Sequence, residues 1–76
     1  MKDLIITIAK ALVDNPEQVS VSEIEGNQTF VLELKVAKSD IGEIIGKHGK
    51  NVRAIRTILS AVSGKERKRV VLEVLE

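Results

Sequence analysis

Apolar and polar residues alternate with two different periods along this chain, and each change of period marks a predicted helix or strand. Helical spacing comes first, over residues 2–14, where one stripe carries Leu4 or Ile5, Ile8, Ala9, Leu12 and Val13. The pair Asn15-Pro16 ends this helix, because a residue before proline avoids the α-helical conformation. The chain is therefore expected to begin with an amphipathic helix.

Alternation with a period of two follows in two runs that are separated by a turn. Val19 and Val21 alternate with serines, but Ile24 falls out of phase, which predicts a bulge or a twist near Glu23. Residues 25–28 contain glycine and asparagine, which favour a turn. The clearest strand covers residues 29–36, and its apolar face consists of Phe30, Leu32, Leu34 and Val36. We interpret the two runs as a β-hairpin.

Helical spacing returns in the second half of the chain, on both sides of a short break. Ser39 is the expected N-cap of a short helix that carries Asp40, Ile41, Ile44 and Ile45. After residues 46–49, a longer helix covers about residues 50–62, with a buried stripe of Val52, Ile55, Leu59 and Val62. Gly64 is expected to close it as a left-handed cap. The last strand covers residues 67–75, with Val70, Leu72 and Val74 on one face.

The predicted order of elements is α-β-β-α-α-β, which indicates an α+β fold with one sheet covered on one side by helices. A length of 76 residues suits a single domain over residues 1–76. The chain has no cysteine, which excludes disulfides and thiolate metal sites. No apolar run reaches the roughly 18 residues of a membrane span, and the first helix is followed by no cleavage-site pattern. We therefore expect a cytoplasmic protein that has no membrane partner.

Charge is unevenly distributed, although the formal net charge is only +1. Residues 1–34 carry two Lys/Arg against six Asp/Glu, whereas residues 35–69 carry ten against three. The basic half is the half that contains the break at residues 46–49. A basic region of this kind is typical of nucleic-acid binding, although a solvated surface explains it equally well when it is considered alone.

The break itself, Gly46-Lys47-His48-Gly49, has the chemistry of a phosphate clamp. Its two glycines let the main chain turn sharply and approach a phosphate or a sugar closely. Lys47 and Lys50 place cations beside that approach, and the loop opens into a helix N-terminus, which favours anions. Arg53 and Arg56 lie one and two turns further along the helix, on the face that borders the loop.

Other functions fit the sequence less well. The segment Gly42 to His48 has three residues between its glycines, and a histidine follows the lysine, so it does not match a nucleotide-hydrolysing P-loop. Phe30 is the only aromatic residue, which disfavours RNA-binding folds that stack bases on aromatic rings. His48 is the only histidine and has no partner for catalysis or metal binding. We expect no enzymatic activity, no metal and no cofactor, and we interpret His48 as a hydrogen-bond donor at the tip of the loop.

The run Ile44-Ile45-Gly46-x-x-Gly49-x-x-Val52-x-x-Ile55-Arg56 resembles the KH signature, and the order α-β-β-α-α-β resembles its type II arrangement. Over nearly its whole length the chain is similar to the small single-domain bacterial KH proteins of the KhpA (YlqC) family. The resemblance implies single-stranded RNA binding, as an RNA chaperone or post-transcriptional regulator, and a three-stranded mixed sheet packed against three helices. It also implies a homodimer, or a heterodimer with a KH protein of the KhpB (Jag) type.

The predicted RNA site joins the loop to an aliphatic groove and to the last strand. Aliphatic residues would form the floor of the groove, although each of them could instead belong to the core. Bases would be distinguished partly by main-chain groups of the last strand, and the basic cluster of residues 65–69 could extend the site or only keep a strand end soluble. The candidate residues are Ile41, Ile44, Ile45, Gly46, Lys47, His48, Gly49, Lys50, Val52, Arg53, Arg56, Lys68 and Arg69. The alternative is an assembly partner that uses the glycine loop with Ile44 and Ile45 as a protein interface.

Overall fold

The structure is a computed structural model that describes residues 1–64 and 69–75. Its order of elements is α-β-β-α-α-β, as predicted, with short 3-10 turns at Pro16–Gln18, Lys38–Asp40 and Lys47–Gly49. The helices are α1 (Lys2–Leu12), α2 (Ile41–Ile45) and α3 (Lys50–Ser63), and the strands are β1 (Ser20–Glu25), β2 (Thr29–Lys35) and β3 (Arg69–Leu75). Within the described ranges, no helix has the length and apolar character needed to cross a membrane.

The three strands form one mixed sheet in the order β1-β2-β3. Strand β1 runs antiparallel to β2 through the predicted hairpin, and β2 runs parallel to β3, with Phe30 opposite Val70 and Leu32 opposite Leu72. A parallel pair needs a crossover connection, and α2 and α3 provide it. The loop at residues 46–49 therefore lies midway along the crossover. The α+β fold and the three-stranded mixed sheet with three helices are confirmed.

The core lies between one face of the sheet and the three helices. All four residues of the predicted apolar face of β2 are buried, and Leu32 and Leu34 are completely inaccessible. They pack in one cluster with Ile5 and Ala9 of α1, Ile44 of α2, Val52, Ile55 and Leu59 of α3, and Leu72 of β3. Burial of these side chains is the main favourable term in the stability of the fold.

The structure corrects two sequence predictions about packing. The β1–β2 register runs without interruption from Ser20 opposite Lys35 to Glu25 opposite Phe30, which excludes the bulge predicted near Glu23, whereas the alternative, a twist, stays a prediction. Ile24 is out of phase because it lies on the opposite face of the sheet, where its side chain is 54% exposed. Val62 was expected in the buried stripe of α3 but is 36% exposed, and Ser63 is buried instead at that end of the helix.

Two predicted helix caps are also absent. Ser39 lies within a 3-10 turn, and Asp40 is the residue that directly precedes α2. Gly64 follows α3 with φ −57° and ψ −29°, which is right-handed, so a left-handed cap is absent there.

Lys68 and the rest of the basic cluster at 65–68 lie outside the described residues.

Asp40 is a charged residue in the interior, and it ties the end of α1 to the start of α2. Its side chain is 1% exposed. The carboxylate accepts hydrogen bonds from the N–H of Asp14 (3.2 Å), the N–H of Asn15 (3.1 Å) and Asn15 Nδ2 (3.1 Å). Burial acts to raise the pKa of Asp40, but these three donors outweigh it and hold the pKa below its usual value of 3.8.

Candidate nucleic-acid interface

The loop that joins α2 to α3 has an unusual main-chain conformation. Gly46 has φ 76° and ψ 169°, His48 has φ 56° and ψ 27°, and Gly49 has φ 73° and ψ 17°. Residues with a side chain rarely adopt positive φ, and the conformation of Gly46 is essentially restricted to glycine. The two glycines predicted to shape this loop therefore do so.

The loop leaves two adjacent main-chain donors free. The N–H of Gly46 donates to Gly42 O (2.8 Å), and the N–H of Gly49 donates to Gly46 O (3.1 Å). The N–H groups of Lys47 and His48 have no hydrogen-bond acceptor within residues 1–64 and 69–75. Successive N–H groups in a turn of this kind form a concavity that binds anions. The side chains of Lys47 and Lys50 add positive charge beside it.

Asn51, in the first turn of α3, fixes the start of the loop. Its Nδ2 donates a 2.8 Å hydrogen bond to Glu43 O, which joins the end of α2 to the start of α3. A Cβ atom on Gly46 would lie 2.7 Å from Asn51 Cγ and 2.8 Å from its Nδ2. Sequence reasoning missed this residue. The available signal was a short amide side chain in a first helical turn, where such side chains bond to nearby main chain.

The two predicted arginines make main-chain contacts within the protein. Arg53 Nη2 donates to His48 O (2.9 Å) at the tip of the loop, and Arg56 Nη2 donates to Leu72 O (3.2 Å) in β3. Each guanidinium has five N–H donors, so further donors remain for a ligand. Arg53 thus keeps its positive charge at the loop tip, and Arg56 lies where α3 meets β3.

The predicted aliphatic groove is narrower than the sequence indicated. Ile45 is 39% exposed and Ile41 is half-buried, so both are accessible to a ligand. Ile44 is completely buried and Val52 is 8% exposed. For these two residues the structure therefore favours the alternative that the sequence left open: they belong to the core and pack beneath α2 and α3.

Strand β3 is an edge strand, because it pairs with β2 and has no partner on its other side among the described residues. The main-chain groups on such an edge are available to a ligand or another chain. Arg69 is exposed at the start of β3, where its N–H donates to Gln28 O in the hairpin turn. Arg69 is therefore placed at the hairpin end of the sheet.

A concavity of about 420 Å³ adjoins the loop on the surface of α2. Its lining is polar, with two glycines, and consists of Ser39, Gly42, Glu43, Gly46, Lys47 and Asn51. Across residues 1–64 and 69–75, there is no group of three or more His, Cys, Asp or Glu side chains that could hold a metal ion.

An α-β-β-α-α-β domain whose two crossover helices are joined by a glycine-bracketed loop is a KH domain of the type II arrangement. Comparison with known proteins identifies the family. The family model "KhpA/KhpB, KH domain" matches residues 2–74, and the chain belongs to this family.

Several curated relatives match the chain over its whole length. The RNA-binding protein KhpA of Clostridium acetobutylicum is 55% identical over 75 residues, which cover 99% of this chain and 100% of the relative. The RNA-binding protein KhpA of Caldanaerobacter subterraneus is 53% identical with the same coverage. The RNA-binding protein KhpA of Aquifex aeolicus is 53% identical over 76 residues, which cover 100% of this chain and 96% of the relative. No solved structure matches the chain significantly.

Proposed function

We propose that this protein binds single-stranded RNA, with the loop at residues 46–49 holding the sugar–phosphate backbone. The observation that supports this most strongly is the pair of N–H groups of Lys47 and His48, which have no acceptor among the described residues and lie next to two lysine side chains. The relatives at about half identity are named RNA-binding proteins, which supports the same ligand. KH modules hold about four nucleotides with a loop of this kind.

Contacts to phosphates position a strand but carry no sequence information. In our proposal, the surface next to the loop recognises the bases. Ile41 and Ile45 offer accessible aliphatic surface, and the open edge of β3 offers main-chain donors and acceptors. Arg56 contacts β3 through Leu72 O, and its guanidinium has further N–H donors for a ligand. If the loop and these residues contact three or four phosphates, log affinity should fall against log salt with a slope of roughly −2 to −3.

The test replaces the two loop-tip residues with acids, in the double variant Lys47→Asp and His48→Asp. Both side chains lie on the surface, so the fold should persist while the new charges repel phosphate. We expect RNA affinity to be lost in fluorescence anisotropy titrations. The double variant Lys10→Asp and Ala11→Asp makes the same change in charge on exposed positions of α1 and should bind far better. Unchanged affinity in the loop variant would exclude the proposed site.

We also propose, on the family resemblance, that the protein acts in the cytoplasm as an RNA chaperone or post-transcriptional regulator. The resemblance also suggests assembly with a second copy or with a KhpB-type KH protein. An isolated groove that holds few nucleotides binds weakly, so pairing two RNA sites in one complex would strengthen binding without new contacts. Assembly and RNA binding would then act together.

A second candidate function is assembly alone, and the exposed surface of α3 favours a different interface from the loop. The interface expected from the sequence included Ile44, which is completely buried. Ile58 (43% exposed) and Val62 (36% exposed) lie one turn apart on α3. Sedimentation should show that Ile58→Glu weakens self-association and that Ile45→Glu does not. If RNA binding is absent in all conditions and self-association persists, assembly is the function.

A further inference from the structure

The face of the sheet that the helices leave uncovered carries an apolar row. Ile24, Val31 and Val71 lie side by side across β1, β2 and β3, because Ile24 pairs with Val31 and Val31 pairs with Val71. Side chains alternate between the two faces of a strand, so these three point away from the core. None of them belongs to the core cluster or packs against it. Ile24 is mostly exposed and the two valines are half-buried, so the row is an aliphatic surface open to a partner.

Charged side chains flank this row on both sides. On β3, Arg69 lies two residues before Val71 and Glu73 lies two residues after it, so all three share one face. Glu33 lies directly opposite Glu73 in the β2–β3 register, and like charges in such a position are unfavourable. Within residues 1–64 and 69–75, Arg69 and the two glutamates form no ion pair. The uncovered face therefore carries charges of both signs that the chain itself does not pair.

This pattern of charge is complementary to itself. Sheets that pack face to face lie about 10 Å apart with their strands nearly aligned. If a second copy packs with its strands antiparallel, Val71 meets Val71, and Arg69 of each copy meets Glu73 of the other. Thr29, which lies beside Arg69 in the register, then meets Glu33, and its hydroxyl can donate to that carboxylate. With parallel strands centred on β2, Glu33 would instead meet Glu33, so the charges select the antiparallel arrangement.

We propose that a second copy of this chain packs against the uncovered sheet face, with Arg69 and Glu73 exchanging ion pairs on either side of the apolar row. The face covers roughly 300 Å² per copy, less than the ~800 Å² per partner of a typical stable interface. The contact is therefore weak, and it forms where copies are concentrated, as on one RNA strand. The loop at residues 46–49 belongs to the helices on the other side of the sheet, so it stays accessible in the pair.

Charge reversal followed by sedimentation equilibrium tests the proposal, in an Ile58→Glu background chosen so that the exposed surface of α3 does not contribute. Arg69→Glu and Glu73→Arg should each raise the dissociation constant of self-association roughly tenfold or more, because each sets like charges against each other twice. An equimolar mixture of the two variants should associate as strongly as the background protein, since every pair is again opposite in sign. Lys10→Glu reverses a charge on the exposed surface of α1 as the matched control and should change nothing.

Ile24→Lys gives a second test, at the most exposed position of the apolar row. Circular dichroism should show an intact fold, and self-association in the same background should be lost. Association that persists in either charge reversal, or that does not return in the mixture, would overturn the sheet contact. A background protein that stays monomeric at every concentration would overturn it as well. Ile24→Lys should bind a short oligoribonucleotide with wild-type affinity, so failure of the sheet contact leaves the proposed RNA binding standing.

Discussion

Replacement of Gly46 by alanine tests the account of the loop most directly. Gly46 has φ 76° and ψ 169°, a region that is essentially restricted to glycine, and a side chain there costs about 1–3 kcal/mol in backbone strain. The new Cβ would also lie 2.7–2.9 Å from three atoms of Asn51. Relief of that clash displaces the Asn51 side chain and breaks its hydrogen bond to Glu43 O, which costs about 1 kcal/mol more.

The expected loss in unfolding free energy is therefore roughly 2–4 kcal/mol. A domain of 76 residues has a total stability of roughly 4–11 kcal/mol, so the variant should be severely weakened. The melting temperature should fall by roughly 10–30 °C. Because the chain lacks tryptophan and tyrosine, circular dichroism is the suitable probe for urea and thermal unfolding.

Gly49→Ala is the matched comparison, since Gly49 also has positive φ but lies in open space. Its Cβ would meet only Val52 Cγ1, at 4.0 Å, so the loss should be limited to about 1–2 kcal/mol for the left-handed conformation. In an Asn51→Ala background, Gly46→Ala should be less harmful, because two of the three clashing atoms are gone. Equal destabilisation by Gly46→Ala and Gly49→Ala, with no coupling to Asn51, would refute the reasoning.

Three further predictions concern the fold. Asp40→Asn should lower the unfolding free energy at neutral pH. Because the folded-state pKa of Asp40 lies below 3.8, the difference from wild type should shrink as pH falls below that value. A pH-independent difference in urea melts would contradict this. Leu59→Ala should cost about 2–5 kcal/mol because Leu59 is 1% exposed, as measured by urea unfolding. Val62→Ala should cost less than about 1 kcal/mol in the same assay, and a loss as large as that of Leu59→Ala would show that Val62 is buried in solution.

The elements and the core of the fold could be predicted because each of them leaves a periodic signal. The apolar face predicted for residues 29–36 alternates over four residues, and all four are buried, although β2 itself ends at Lys35. The errors arose at the ends of elements, where periodicity does not say which side faces the core. Ile24 breaks the alternation of its strand because it lies on the sheet face that the helices do not cover. Val62 continues the apolar stripe of α3 in the sequence, but its side chain is exposed in the last turn of the helix.

The candidate site was predictable only in part, because some of its residues are recognisable from their spacing in the sequence and others act through contacts that exist only in the folded structure. Gly46 and Gly49 are recognisable from their spacing, and their conformations follow from having no Cβ. Asn51 acts through one hydrogen bond to a main-chain oxygen eight residues earlier; a short amide in a first helical turn suggests a main-chain contact but does not identify its acceptor. Arg53 was correctly placed beside the loop, but its bond to His48 O depends on loop geometry that appears only in three dimensions.

Taken together, these contacts indicate that α3 shapes the loop as well as following it. Asn51 Nδ2 donates to Glu43 O within α2, and Arg53 Nη2 donates to His48 O at the tip, so α3 fixes both α2 and the loop tip through main-chain oxygens. The N–H groups of Lys47 and His48 have no hydrogen-bond acceptor in the part of the chain that the structure describes. A loop fixed in this way presents donors without matching acceptors, and it loses little conformational freedom when an anion binds. The selectivity for a phosphate chain would then reside in main-chain geometry that α3 imposes, and the lysines would mainly increase affinity.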